Sequence, residues 1–264
     1  MEIITSRDNS KIKFAAKLLK SKALRDENML FIAEGLRICY DAAQAGNIVK
    51  VTFITQDLLD KHPIKTGYIL DRADDVYLIE DHVMAKISDT KTAQGIVCIC
   101  AIPFVNGDGI ESMDKSCKVL ALENISDPGN MGTMVRTAEA LGMSAVVLVG
   151  DCADVFSPKA VRSTMGSVVR MPIYRYESSK EFIDICRQKN LSVWAAVVTG
   201  DAELLSQTDM SKANVLFVGN EGNGLLSQTI DECEHKVTID MSGRAESLNA
   251  SASASILIWE MCRK

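Results

Sequence analysis

Near the start of the chain, apolar residues recur at helical spacing: Ile12, Ala15, Ala16, Leu18 and Leu19 fall on one side and lysines on the other. Asn9 or Ser10 caps this helix, which the pattern carries to about Arg25. Phe31–Glu34 reads as a short strand and Gly35–Ala45 as a second helix, ended by Gly46. Val51–Thr55 is a strand, followed by a helix near Asp57–Lys61. Val76–Leu78 is extended, Glu80–Ile87 helical, and Gly95–Ile102 (GIVCICAI) a buried strand. The series predicts a small α/β layer.

Pro103–Asp114 combines proline, glycines and acids between two apolar strands, and is the one linker the pattern offers. Beyond it the alternation is more regular. Val119–Glu123, Ala145–Val149, Val193–Thr199, Asn214–Val218 and Lys236–Ile239 read as strands. Asn130–Leu141, Lys159–Met165, Ser179–Lys189 and Leu225–Glu232 read as helices between them. Short apolar strands alternating with helices predict a mostly parallel sheet covered on both faces. Ligands in such sheets sit beyond the carboxyl ends of the strands. Polar, glycine-rich loops fall there: Asn124–Gly132, Gly200, Gly219–Gly224 and Met241–Asn249. The last loop leads into a helix whose start alternates Ala250, Ala252 and Ala254 with Ser251, Ser253 and Ser255. That slim surface suits close approach, and its hydroxyls can bond back to the backbone.

The length of 264 residues suits two domains at least as well as one. No apolar run approaches a membrane span, and the N-terminus lacks the pattern of a secretory signal. Eight scattered cysteines without a CxxC pair read as reduced, mostly buried thiols, which points to the cytoplasm and to no metal site. The net charge of −6 opposes generic nucleic-acid affinity. Its distribution changes that reading, because Arg7, Lys11, Lys13, Lys17, Lys20, Lys22 and Arg25 crowd the first 25 residues. A solvated amphipathic helix would look much the same.

Candidate chemistry gathers in the loops. No stretch has the GxGxxG or GxxxxGK[ST] spacing, which argues against a Rossmann dehydrogenase or a P-loop enzyme. Arg136 lies on the helix from Asn130, with Glu139 three positions on, so it is either half of a helix ion pair or an arginine aimed at a phosphate or hydroxyl. Glu221 stands between glycines with no helical context and reads as functional, directly or by closing its loop. Ser247 and Asn249 are ordinary helix caps on one reading and site groups on the other. His62, His82 and His235 are isolated, with no hydrolase arrangement in view.

Four stretches together carry a likeness: ENISDPGNMGTMVRTAEALG (Glu123–Gly142), FSPKAVRSTMGS (Phe156–Ser167), LFVGNEGNGL (Leu216–Leu225) and IDMSGRAESLNA (Ile239–Ala250). In this order the chain resembles the SpoU/TrmH family of RNA 2'-O-ribose methyltransferases, in the SPOUT superfamily. Residues 1–105, above all FIAEGLRICYDA (Phe31–Ala42), resemble the family's ribosomal-protein-like, substrate-binding α/β domain. Asp240 stands where the family commonly has proline.

The resemblance implies a small α/β RNA-binding domain over 1–105, a linker over 106–116, and an α/β SPOUT methyltransferase domain with a deep trefoil knot over 117–264. It implies S-adenosylmethionine held by Thr199, Gly200, Gly219, Asn220, Glu221, Ile239, Met241 and Leu248. Arg136 becomes the principal catalytic residue, with Asn130, Ser247 and Asn249 orienting it or the ribose, and Glu221 holding its loop and Arg136. Arg7, Lys11, Lys13, Lys17, Arg37, Arg136 and Arg162 are the candidate RNA contacts. The expected partners are structured RNA, ribosomal before transfer RNA, and a second copy of the chain; DNA and membrane are not expected. The rival class is a non-catalytic RNA-binding or ribosome-assembly protein that keeps the fold.

Overall fold

The computed structural model describes residues 1–46, 48–103, 109–244 and 247–263. Residues 104–108 of the expected linker, and Ala245 and Glu246 of the last loop, lie outside the described residues. The chain forms two compact units: Met1–Pro103 with Asp154–Arg170, and Phe104–Ala153 with Met171–Lys264. One cut near the linker therefore does not describe the division, because residues 154–170 pack within the first unit.

The first unit is built on a five-stranded sheet. β1 (Glu2–Ile4), β4 (Asp75–Ile79) and β3 (Val49–Ile54) run parallel, and β5 (Ile96–Ala101) and β2 (Leu30–Glu34) complete it antiparallel, in the order β1-β4-β3-β5-β2. Asn9 caps α1 (Ser10–Lys20) by accepting from the Lys11 N–H at 2.9 Å, as its sequence position predicts. The helix stops earlier than expected. Ser21 is extended and accepts from the Leu24 N–H at 3.2 Å, which starts α2 (Lys22–Asn28) in a new direction. α3 (Leu36–Gln44), α4 (Gln56–Lys61), α5 (Pro63–Leu70) and α6 (Asp81–Ile87) cover the sheet. Ile12, Leu18, Val83 and Ile87 pack with Phe53, Val97 and Ile99 into one core.

An aromatic pair and a buried ion pair are among the contacts that hold residues 154–170 in this unit. Phe31 and Phe156 have ring centroids 5.2 Å apart. Arg25 donates to the Asp154 carboxylate at 2.8 and 2.6 Å and to the carbonyls of Leu18 and Leu19 at 2.7 and 3.1 Å, with both side chains almost wholly buried. Arg25 therefore leaves the basic N-terminal group: its charge is neutralised inside the unit.

In the second unit seven parallel strands lie in the order β10-β12-β9-β11-β6-β7-β8. β6 (Val119–Glu123), α7 (Pro128–Ala140) and β7 (Ala145–Val149) come first; the chain gives α8 (Pro158–Thr164) to the first unit and returns as β8 (Ile173–Tyr176). α9 (Ser179–Gln188), β9 (Val193–Ala196), the two-residue β10 (Glu203–Leu204), β11 (Val215–Val218), α10 (Ser227–Glu232), β12 (His235–Thr238) and α11 (Ala250–Cys262) follow. Strands β6 and β7 are buried along their whole length, as covered parallel strands must be. The small residues of α11 let it lie against α7, where Thr137 Oγ1 and Ser255 Oγ are 3.3 Å apart. Ser255 spends its own proton on the Ser251 carbonyl at 2.7 Å, so Thr137 is the donor between them.

Candidate active site

Strands β12, β9 and β11 are neighbours, and their carboxyl ends open on one cavity of about 650 Å³. Its walls are the loops after those three strands, the turn at Ser247 and Leu248, and the first turns of α11. The volume falls within the roughly 300–1,000 Å³ of small-molecule sites. Apolar walls from Leu204, Val218, Leu225, Ile230 and Leu257 alternate with glycine backbone. Val198 and Leu248 expose apolar side chains beside it.

The loop after β11 is tied into a ring. Asn220 and Gly224 exchange backbone hydrogen bonds at 3.0 and 2.9 Å. The Asn220 carboxamide oxygen accepts from the N–H groups of Gly222 and Asn223, and its nitrogen donates to the Asn124 carbonyl at 2.9 Å. Gly219 must be glycine here: a Cβ would lie 2.2 Å from the carbonyl carbon of Gly224 and 2.3 Å from the Leu225 nitrogen.

Glu221 clasps this ring to the start of α7. Its carboxylate accepts from Asn130 Nδ2 at 2.9 Å, Ser126 Oγ at 3.0 Å, and the N–H groups of Ser126 and Asp127 at 3.4 Å. Partial burial pushes the carboxyl up, but the hydrogen bonds from Asn130, its own backbone and Ser126 outweigh it and leave its pKa below the ordinary value. Glu221 does not hold Arg136, contrary to expectation, and Asn130 spends its amide on Glu221. Arg136 is exposed on α7, and no hydrogen bond or ion pair engages its guanidinium among the described residues. The alternative of a helix pair with Glu139 is thus not realised.

Of the expected cofactor residues, all but Gly200 line the cavity; Gly200 follows the lining residue Thr199 but stays outside. Ser247 lines it too. Asn249 caps α11, its side-chain oxygen accepting from Ser251 N at 2.9 Å and Ser251 Oγ at 2.6 Å. The basic residues of the first unit divide. Lys17 is exposed, Lys11 lies over the Tyr77 ring at 4.7 Å, Lys13 pairs with Asp8 at 2.9 Å, and Arg7 donates to the His82 carbonyl at 2.7 Å. Arg162 pairs with Asp89, whereas Arg37 is exposed.

A family model described as the SpoU rRNA Methylase family matches residues 118–259. The chain belongs to that family. Residues 9–98 match a second model, the MRM3-like substrate binding domain. Among curated relatives, the chain is 29% identical over 261 residues to the 23S rRNA (guanosine(2553)-2'-O)-methyltransferase of Bacillus subtilis, covering 99% of each. Among solved structures, an AdoMet-bound rRNA methyltransferase from Sinorhizobium meliloti superposes with a TM-score of 0.87 at 31% identity, over 99% of this chain and 97% of that one. The SpoU methyltransferase AviRb of Streptomyces viridochromogenes, in complex with AdoMet, gives 0.86 at 25% identity over 97% of each chain. The parallel sheet with its covering helices is the fold these methyltransferases share.

The partners of two carboxylates near the site are not legible in the sequence. Glu123, at the end of β6, is buried; it accepts from the Leu226 N–H at 2.8 Å and from Thr229 Oγ1 at 2.5 Å, fixing where the glycine ring leaves for α10. Its only signal was a charge ending an apolar run. Asp240 accepts from Ser206 Oγ at 2.9 Å and Ser206 N at 3.1 Å, and those bonds, the backbone one first, lower its pKa. A proline there offers no such acceptor, so this chain anchors its last loop to residues 205–207. Among the described residues no group of three or more His, Cys, Asp or Glu is placed to hold a metal ion, and no helix is long and apolar enough to cross a membrane.

Proposed function

We propose that this chain transfers a methyl group from S-adenosylmethionine to a ribose 2'-hydroxyl of ribosomal RNA. The observation that carries the reading is the glycine ring at the cavity, clasped through Glu221 to the helix that presents an unengaged Arg136. The cavity suits the donor: apolar walls take the purine, and glycine backbone lets peptide groups approach the ribose and the amino-acid end. Thr199, Gly219, Asn220, Glu221, Ile239, Met241 and Leu248 would hold it. When bound, the donor supplies a methyl group on a positively charged sulfur, with a neutral thioether to leave.

The chain's own task is the weakly acidic hydroxyl. Arg136 is permanently charged, so its role is to grip the adjoining phosphate and stabilise the oxyanion that develops as the hydroxyl proton passes to solvent water. Glu221 and Asn130 fix the first turn of α7, and so the reach of Arg136. Ser247 and the amide nitrogen of Asn249 orient the ribose, which removes much of the entropic cost of attack.

The first unit serves as the RNA-docking domain, with Lys11, Lys13, Lys17, Arg7, Arg37 and Arg162 as its cationic contacts. The active form is a homodimer in the cytoplasm; Ile256 and Trp259, exposed on α11 at 37% and 56%, suit a covered interface. The C-terminal segment is threaded in a trefoil knot. The test is methyl incorporation from labelled donor into deproteinised ribosomal RNA, assembled subunits and transfer RNA. Ribosomal RNA or its particles should take the label; label confined to transfer RNA would overturn the substrate assignment.

A further inference from the structure

The two signature stretches that the methyl-donor cavity leaves unused, FIAEGLRICYDA and FSPKAVRSTMGS, meet in the first unit. Between them lies a second cavity of about 200 Å³. Gly35, Arg37 and Ile38 come from the start of α3; Val161, Arg162, Met165 and Gly166 come from α8 and the turn after it; Glu34 and Gln94 complete the wall.

Its chemistry is divided. Ile38 and Val161 are buried, and Met165, at 39% exposure, stands at the mouth. These form an apolar slot. Below the roughly 300 Å³ at which pockets for whole small ligands begin, such a slot takes one ring system. Around it are polar groups of complementary kinds. The Glu34 carboxylate is fully engaged, accepting from Ser88 Oγ, from Thr90 Oγ1 at 2.5 Å and from the Asp89 N–H at 2.8 Å. Arg162 is held by Asp89. Arg37 is different: it is exposed, and no hydrogen bond or ion pair engages it among the described residues. Gln94, also exposed, carries both a donor and an acceptor.

We infer that this cavity is a nucleotide subsite, which seats one unstacked base of the substrate RNA against Ile38, Val161 and Met165 with the adjoining phosphate on Arg37. Gln94 reads the edge of the base, and Arg162, fixed by Asp89, forms the wall beside the phosphate. Sequence-selective RNA recognition works on bases splayed from single-stranded loops, and phosphate contacts set register. The near-cancellation of charge between Arg37 and Arg162 on one side and Glu34 and Asp89 on the other argues against a free anion and for a nucleotide that brings its own apolar surface. The inference rests on the proposal that the chain methylates RNA, and it assigns the first unit a defined contact beyond general attraction.

The test uses the full-length protein with an RNA that the unsubstituted chain methylates. Arg37→Ala should weaken RNA binding about tenfold, raise KM for RNA, and lower the slope of log K against log salt by about one phosphate's share. The affinity for S-adenosylmethionine, which binds in the other cavity, should not change. Arg37→Lys should restore the salt slope. Met165→Glu, which places a carboxylate at the mouth without emptying the core, should weaken RNA binding in the same way. RNA affinity and salt slope unchanged in both Arg37→Ala and Met165→Glu, with methylation intact, would overturn the subsite. Failure of the unsubstituted chain to methylate any RNA is a different result and overturns the underlying function, taking the subsite with it.

Discussion

Replacing Glu221 with alanine removes the clasp between the glycine ring and α7. Two of its bonds are short, to Asn130 Nδ2 at 2.9 Å and Ser126 Oγ at 3.0 Å; the two backbone contacts at 3.4 Å are marginal. A hydrogen bond to a charged group contributes about 1.5–3 kcal/mol when buried. The carboxylate is largely exposed, so solvent screening brings each short bond down to about 0.5–1 kcal/mol. The loss is then about 1–2 kcal/mol, or roughly a five- to thirtyfold drop in methyl transfer at subsaturating donor. Glu221→Gln keeps one acceptor and should fall between. Steady-state kinetics varying S-adenosylmethionine, beside calorimetric binding, separate a looser cavity from a misplaced Arg136. Glu221→Ala with unchanged kcat and KM for the donor would refute the reasoning. Because the folded pKa is depressed, the clasp is complete above the ordinary carboxylate range and is lost as pH falls through the lowered value. Donor affinity should therefore be insensitive to Glu221 titration at neutral pH and fall only in acid, a dependence that Glu221→Gln removes.

Three further outcomes follow from the same geometry. Gly219→Ala puts a Cβ against the backbone of Gly224 and Leu225, so the ring must open; calorimetry should find donor binding reduced by at least tenfold while the first unit keeps its thermal transition. Arg25→Ala leaves the Asp154 carboxylate buried without its cation, and chemical denaturation should register a loss of about 3–5 kcal/mol in the first unit. Burial holds the Cys186 and Cys233 thiols at about 12, so both should resist alkylation in the folded protein at pH 8 and react once it is denatured.

What the sequence made legible follows from how local the determinants are. β7 is a continuous apolar run and β6 is one up to its final Glu123, so the limits of both are legible, because a strand buried on both faces is apolar along nearly its whole length. β8 carries no readable period, because Arg175 is exposed and Tyr174 and Tyr176 are only partly buried. β1 and β10, of three and two residues, are edge strands too short to carry a pattern. α1 and α2 read as one helix because the apolar spacing passes through Ser21, where the break is made by a side-chain cap. At the site, the glycine loops announced themselves through residue type. The partner of Glu221 did not, since Asn130 lies 91 positions away and only the sheet order brings it near. Arg25 and Asp154 are 129 residues apart, and nothing local marks either as buried.

The central claim is that the cavity of the second unit and the guanidinium of Arg136 act on one ribose hydroxyl. It is tested most directly by digesting labelled ribosomal RNA with alkali after reaction with the unsubstituted chain and with Arg136→Ala, while measuring donor binding by both. The account predicts label in alkali-stable dinucleotides, the mark of a blocked 2'-oxygen, from the unsubstituted chain alone, with equal donor affinity in the two proteins. Label released with mononucleotides, or full incorporation by Arg136→Ala, would contradict it.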